Sequence, residues 1–183
     1  MGKDALLTRM REERWPLHFV VTATTRPRRP SEADGVDYHF LAAEEFERRR
    51  QAGMLLEWAQ VYGNMYGIPR EEVVENLAAG RDVIVKTDVQ GARTIRKLAP
   101  EATFIFVAPA STAELASRLN GRRTESAGDM GMRVKAATEE MKCLPEFDYV
   151  VANEEGKLEE TLARIRAIMV AEKSRVHPRR VRL

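Results

Sequence analysis

Two arginines, Arg26 and Arg29, stand three residues apart in TTRPRRPSE, directly after the apolar run HFVVTA. Proline fixes φ and holds the residue before it extended, so Pro27 and Pro30 keep this stretch open rather than helical. Two guanidinium forks on a stiff loop suit a doubly charged phosphate, because each fork donates two parallel hydrogen bonds. Tyr38 and Tyr66 could add neutral hydroxyl donors, and Glu57 is an acid set inside an otherwise apolar run, LLEWAQV. A phosphate clamp beside a carboxylate suggests a nucleotide whose base carries donors.

The elements that must position these groups follow from apolar periodicity and turn residues. Asp4–Trp15 reads as a helix, His18–Ala23 as a strand ending at the arginine loop, and Tyr38–Leu41 as a short strand. Glu44–Gln51 is a charged helix closed by Gly53, Leu55–Val61 a strand, and Asn64 with Gly67 frames another. Arg70–Ala79 is a helix stopped by Gly80, Asp82–Thr87 a strand, DVQGARTIRKL a helix and TFIFVA a strand. Helices are expected over about 112–119 and 130–141, then a strand over Phe147–Ala152 and a last helix over about 157–173. Strands alternating with helices argue for an α/β fold with a parallel sheet and helices on both faces. The density of short strands and turns between Thr22 and Gly80 suggests an inserted β-rich lobe.

A length of 183 residues suits one ordinary domain, and 44% hydrophobic with 32% charged residues describes a globular protein. A net charge of +2 gives no global case for nucleic-acid binding. No apolar run approaches the ~20 residues needed to cross a bilayer, and the charged, amphipathic start is not a signal peptide. The single cysteine, Cys143, excludes an internal disulfide and fits a reducing cytoplasm. The basic ending RVHPRRVRL reads as a frayed, solvated tail, with an electrostatic partner site as the alternative.

Taken together and in order, TTRPRRPSEADGVDYHF, EWAQVYGNMYG, DVQGA and RLNGRRTES resemble the corresponding segments of guanylate kinases over nearly the whole chain. Several co-linear motifs are a far stronger signal than a lone glycine-rich loop. The resemblance implies a P-loop kinase-like core (1–21, 81–111 and 137–183), a GMP-binding lobe (22–80) and a helical lid (about 112–136). It implies phosphoryl transfer from ATP to GMP, with those nucleotides as partners and Mg²⁺ arriving with ATP. It gives no role for nucleic acid or membrane, no oligomeric state and no metal site of protein ligands.

Residue by residue, the resemblance places Arg26, Arg29, Tyr38 and Tyr66 on the GMP phosphate and Glu57 on the guanine. One carboxylate can accept from both guanine N1–H and N2–H₂, whereas adenine offers neither. Thr22, Gly67 and Asp88 match further GMP-side positions; Asp88 reads equally as a helix N-cap. Arg118, Arg122 and Arg133 match lid arginines, which would stabilise charge on the transferring phosphoryl group together with Lys3. Asn153 matches an adenine-side position, with a helix cap as its plainer reading. Three positions depart from the pattern. Ile68 stands where a hydroxyl usually contacts guanine, which predicts GMP binding weaker by roughly 1 kcal/mol. Lys86 stands where many relatives carry an acid, and Arg123 replaces a usual glycine.

A P-loop reads GxxxxGK[ST], its backbone N–H groups cradling phosphates. In this chain Gly2 and Lys3 match its last glycine and lysine, and Asp4 falls at the hydroxyl position, where a carboxylate could serve Mg²⁺. The earlier glycines and the strand before them, central in the family's sheet, have no counterpart in this sequence. A shortened start and a protein that dispenses with ATP both account for this, and the retained arginines favour the first. The competing functional reading is a catalytically inactive guanylate-kinase-like interaction module.

Overall fold

The computed structural model describes residues 3–61, 63–109 and 139–183. They form two compact units: the chain up to Arg14 with Thr103–Arg179, and Trp15–Ala102 with Arg180–Leu183.

In the second unit β1 (Leu17–Phe19) pairs in parallel with β6 (Asp82–Ile84), Leu17 opposite Asp82 and Phe19 opposite Ile84. The strand expected over His18–Ala23 is broken after Phe19 because its backbone changes partners. Val20 N–H still donates to the Ile84 carbonyl, but Val21 N–H donates to the Glu72 carboxylate at 3.1 Å. From Ala23 the chain belongs to another sheet, of order β3 (His39–Phe40), β2 (Ala23–Thr24), β5 (Asn64–Pro69), β4 (Leu55–Val61). This crossing from one sheet to the next delivers the arginine loop.

One face of that sheet closes over α2 (Ala43–Gln51), whose single buried side chain, Phe46, joins Ala23 and Leu55 in a core flanked by Leu41 and Met65. The rest of α2 is solvated charge, with Glu45 and Glu47 paired to arginines three or four residues on; such pairs add only tenths of a kcal/mol each. Then come α3 (Arg70–Ala78) and α4 (Val89–Leu98). Gly80, at φ 73°, turns the chain after α3 in the left-handed region that glycine adopts without strain. Ala92 and Ile95 are the buried stripe of α4.

The first unit packs α1 (Lys3–Glu12) against α5 (Leu158–Lys173). Leu6 and Met10 are the buried side chains of α1, and Thr161, Leu162 and Ile165 those of α5. Beside them β7 (Ile105–Pro109) and β8 (Tyr149–Asn153) run parallel in register from Ile105–Tyr149 to Pro109–Asn153. The expected parallel pairing is therefore present, as two two-stranded ribbons among the described residues rather than one continuous sheet. The basic ending is not simply solvated, since Arg179 lies 3.4 Å from both Asp148 and Glu172. No described helix is long and apolar enough to cross a membrane.

Candidate functional site

The two threonines of TTR fasten the arginine loop to β5. Thr24 Oγ1 donates to the Met65 carbonyl at 2.9 Å and accepts Arg26 N–H at 3.2 Å, while Thr25 Oγ1 accepts Met65 N–H at 2.9 Å. Thr24 is wholly buried, between Phe40 on one side and Tyr66 on the other in register. Two hydroxyls thus fix where the Arg26 side chain starts. On the far side, Asp34 and Asp37 accept the backbone N–H groups of Phe40 and Ala33, which shapes the turn that returns Tyr38.

Arg26, Tyr38 and Tyr66 converge. The guanidinium carbon of Arg26 lies 5.3 Å from the Tyr38 ring centre and 5.7 Å from that of Phe40. Tyr38 and Tyr66 meet edge to face at 6.1 Å. Arg26 also donates to Glu32 at 2.8 Å, and Arg29 N–H donates to the other oxygen of the same carboxylate at 2.8 Å. The Arg26 hydrogen bond is the main reason the Glu32 carboxyl sits below its usual range. Glu32 therefore ties the two arginine positions together, a part sequence reasoning missed. Its signal was its place six residues after Arg26 in an otherwise cationic loop. Arg28 is exposed and donates to the Glu32 carbonyl.

Glu57 is buried for a geometric reason. β4 packs against α2, α3 and α4, and its register with β5 shifts between Leu55 and Glu57. Such a bulge breaks strict alternation, and Leu55, Leu56 and Glu57 are buried in succession. Burial pushes the Glu57 carboxyl up to about 7; the neighbouring Asp88 charge adds to this and a hydrogen bond from Thr87 partly offsets it. Asp88 caps α4, its Oδ1 accepting Gly91 N–H at 2.8 Å, so the capping and guanine-side readings of this residue are compatible. Gly91 was also missed. A Cβ there would lie 1.9 Å from Thr87 Oγ1 and 2.5 Å from Glu57 Oε1. The signal was a glycine in the first turns of a helix, where it costs about 1 kcal/mol against alanine.

Gly67 is explained by packing, because a Cβ would meet Leu55 Cδ1 at 2.8 Å and Phe46 Cζ at 3.0 Å. Ile68 is 1% exposed and opposite Glu57 across the β4–β5 pair. Thr22 contributes its carbonyl to His39 N–H. Arg26, Arg29, Tyr38, Glu57, Tyr66, Gly67, Thr22 and Asp88 thus share one unit. Lys86 joins them: its Nζ is 3.1 Å from Tyr38 Oη. The segment 86–88 therefore touches the cradle at one end and crowds Glu57 at the other.

A family model described as guanylate kinase matches residues 1–172. The chain belongs to the guanylate kinase family. It is 45% identical over 184 residues to "Guanylate kinase 2, chloroplastic/mitochondrial" of Oryza sativa subsp. japonica, covering all of this chain and 65% of that protein's length. It is 44% identical over 175 residues to the guanylate kinase of Symbiobacterium thermophilum, covering 96% of this chain and 82% of that one. A crystal structure of guanylate kinase from Anaplasma phagocytophilum superposes with a TM-score of 0.79 at 31% identity, over 97% of this chain and 85% of that one.

In this guanylate kinase family member Lys3 and Asp4 open α1, and Asn153 ends β8, all in the first unit. Asn153 is buried, its Oδ1 3.4 Å from the Thr161 hydroxyl. It does not cap α5, whose N-cap is Lys157 with no side-chain bond. Gly2, Arg118, Arg122, Arg123 and Arg133 lie outside the described residues. Among the described residues no cluster of three His, Cys, Asp or Glu could hold a metal ion.

Proposed function

We propose that the chain acts as a guanylate kinase, transferring a phosphoryl group from ATP to GMP to give ADP and GDP. The observation that carries this reading is the buried Glu57 carboxyl in the same unit as the Arg26–Tyr38–Tyr66 cradle, with segment 86–88 touching both. The names of the rice and bacterial relatives support it.

Arg26 and Arg29 grip the acceptor phosphate once it displaces the Glu32 carboxylate from them, and the two tyrosines donate to its remaining oxygens. Glu57, ionised, accepts from guanine N1–H and N2–H₂. AMP would leave that acid buried without a donor, a discrimination that can reach several powers of ten. Thr22, Gly67 and Asp88 complete the acceptor side. Lys3, Arg118, Arg122 and Arg133 stabilise charge as the phosphoryl group moves, and Gly2, Asp4 and Asn153 serve ATP. Mg²⁺ enters as MgATP, keeping several waters and borrowing at most Asp4 from the protein, because it is bound mainly through phosphates. No general base is required when the acceptor phosphate is already ionised. The enzyme works in the cytoplasm, as its lone cysteine suggests.

A coupled assay of ADP release tests the reading. Turnover should depend on GMP, be at least a hundredfold slower with AMP, and fall by at least a hundredfold in Arg26→Ala and Arg133→Ala. Binding of GMP without any turnover would instead leave an interaction module.

A further inference from the structure

Lys86 lies between β6 and α4, where the chain has left the β1–β6 ribbon. Its Nζ stands 3.1 Å from Tyr38 Oη and 4.9 Å from the centre of the same ring. Arg26 approaches that ring at 5.3 Å. One phenol is therefore flanked by two cations.

An ammonium group has three donors and no acceptor. In the Lys86–Tyr38 bond the lysine must donate and the phenol oxygen must accept. The phenol hydrogen is then directed away from Lys86, and accepting from the cationic ammonium makes that O–H a stronger donor. A carboxylate at position 86 would do the reverse, taking the phenol hydrogen for itself. We infer that Lys86 is a positioning residue for the acceptor phosphate: it commits Tyr38 to donating into the cradle and adds a third positive charge beside Arg26 and Arg29. The inference rests on the GMP reading and deepens it, since it assigns selectivity for the phosphorylated nucleotide over the bare nucleoside to a residue outside the arginine loop.

Calorimetric titration of the whole chain with GMP and with guanosine, alongside thermal melts, tests it. Lys86→Met should weaken GMP binding about tenfold, the scale of one charge-assisted hydrogen bond, while guanosine binding and the melting temperature stay within twofold and a degree or so. Lys86→Arg should restore most of the loss, and Lys86→Glu should deepen it. In a Tyr38→Phe background the Lys86→Met loss should shrink by at least half, because the directed hydrogen is gone. Equal losses for GMP and guanosine, or an unchanged GMP affinity in Lys86→Met, would overturn the inference while leaving the kinase reading intact. Wild-type protein that failed to bind GMP would overturn both.

Discussion

Glu57 carries the electrostatic tension of the site. An acid held near 7 rather than 4.5 is protonated in the folded chain while the unfolded chain has already ionised. Stability of the unliganded protein should therefore fall as pH rises from about 4.5 to about 7, by about 3 kcal/mol in full, and stay low above that. Glu57→Gln should abolish this slope in melts taken across that range. In the proposed reading GMP takes the ionised form, so its binding near pH 7 should expel a fraction of a proton, seen as a difference in binding heat between two buffers of unlike ionisation enthalpy. Gly91 is coupled to the same carboxylate. Gly91→Ala should raise the KM for GMP at least tenfold by pushing Glu57 and Thr87 aside, and lower the melting temperature, because the overlap at 1.9 Å outweighs the gain of about 1 kcal/mol in helix propensity.

The elements matter here through their interruptions. β1 stops after Phe19 so that the chain can cross to a second sheet, and β6 stops after Ile84 so that Lys86 and Asp88 can reach the site. The arginine loop is held at its base by Thr24 and Thr25 against Met65. Thr25→Val keeps the shape but leaves Met65 N–H without that acceptor, which should cost about 1 kcal/mol in denaturant unfolding and raise the KM for GMP severalfold. Ile68 belongs to the same β5 strand and is core. Ile68→Thr should tighten GMP by about fivefold, the hydroxyl's contribution, while lowering stability by about 1–2 kcal/mol for lost packing. No gain in GMP affinity would remove position 68 from guanine recognition.

At the scale of the molecule Arg179, in the basic ending, is tied into the first unit's structure. Tyr149 donates to Glu172, Arg179 bridges Glu172 and Asp148, and Asp148 accepts Phe104 N–H. The second Glu172 oxygen is buried without a hydrogen bond, so the Arg179 charge at 3.4 Å is its main compensation. Arg179→Ala should lower stability by about 1–2 kcal/mol, measured by denaturant unfolding, because it strips a cation from a half-buried carboxylate. GMP affinity, whose proposed residues lie in the other unit, should not change.

Local chemistry made much of this protein legible in one dimension. Helices and strands declared themselves through apolar period and glycine stops, and Arg26, Arg29, Tyr38, Glu57 and Tyr66 stood out by residue type and spacing and fall in one unit. What a sequence does not carry is who neighbours whom across sheets. Glu32 between the arginines, Gly91 against the Glu57 carboxylate, Lys86 on the Tyr38 hydroxyl and Arg179 on Glu172 are long-range or loop-closed contacts fixed by the fold's path. The ionisation of Glu57 is the clearest case: its residue type names an acid, but only burial behind a β-bulge and beside Asp88 lifts it to about 7.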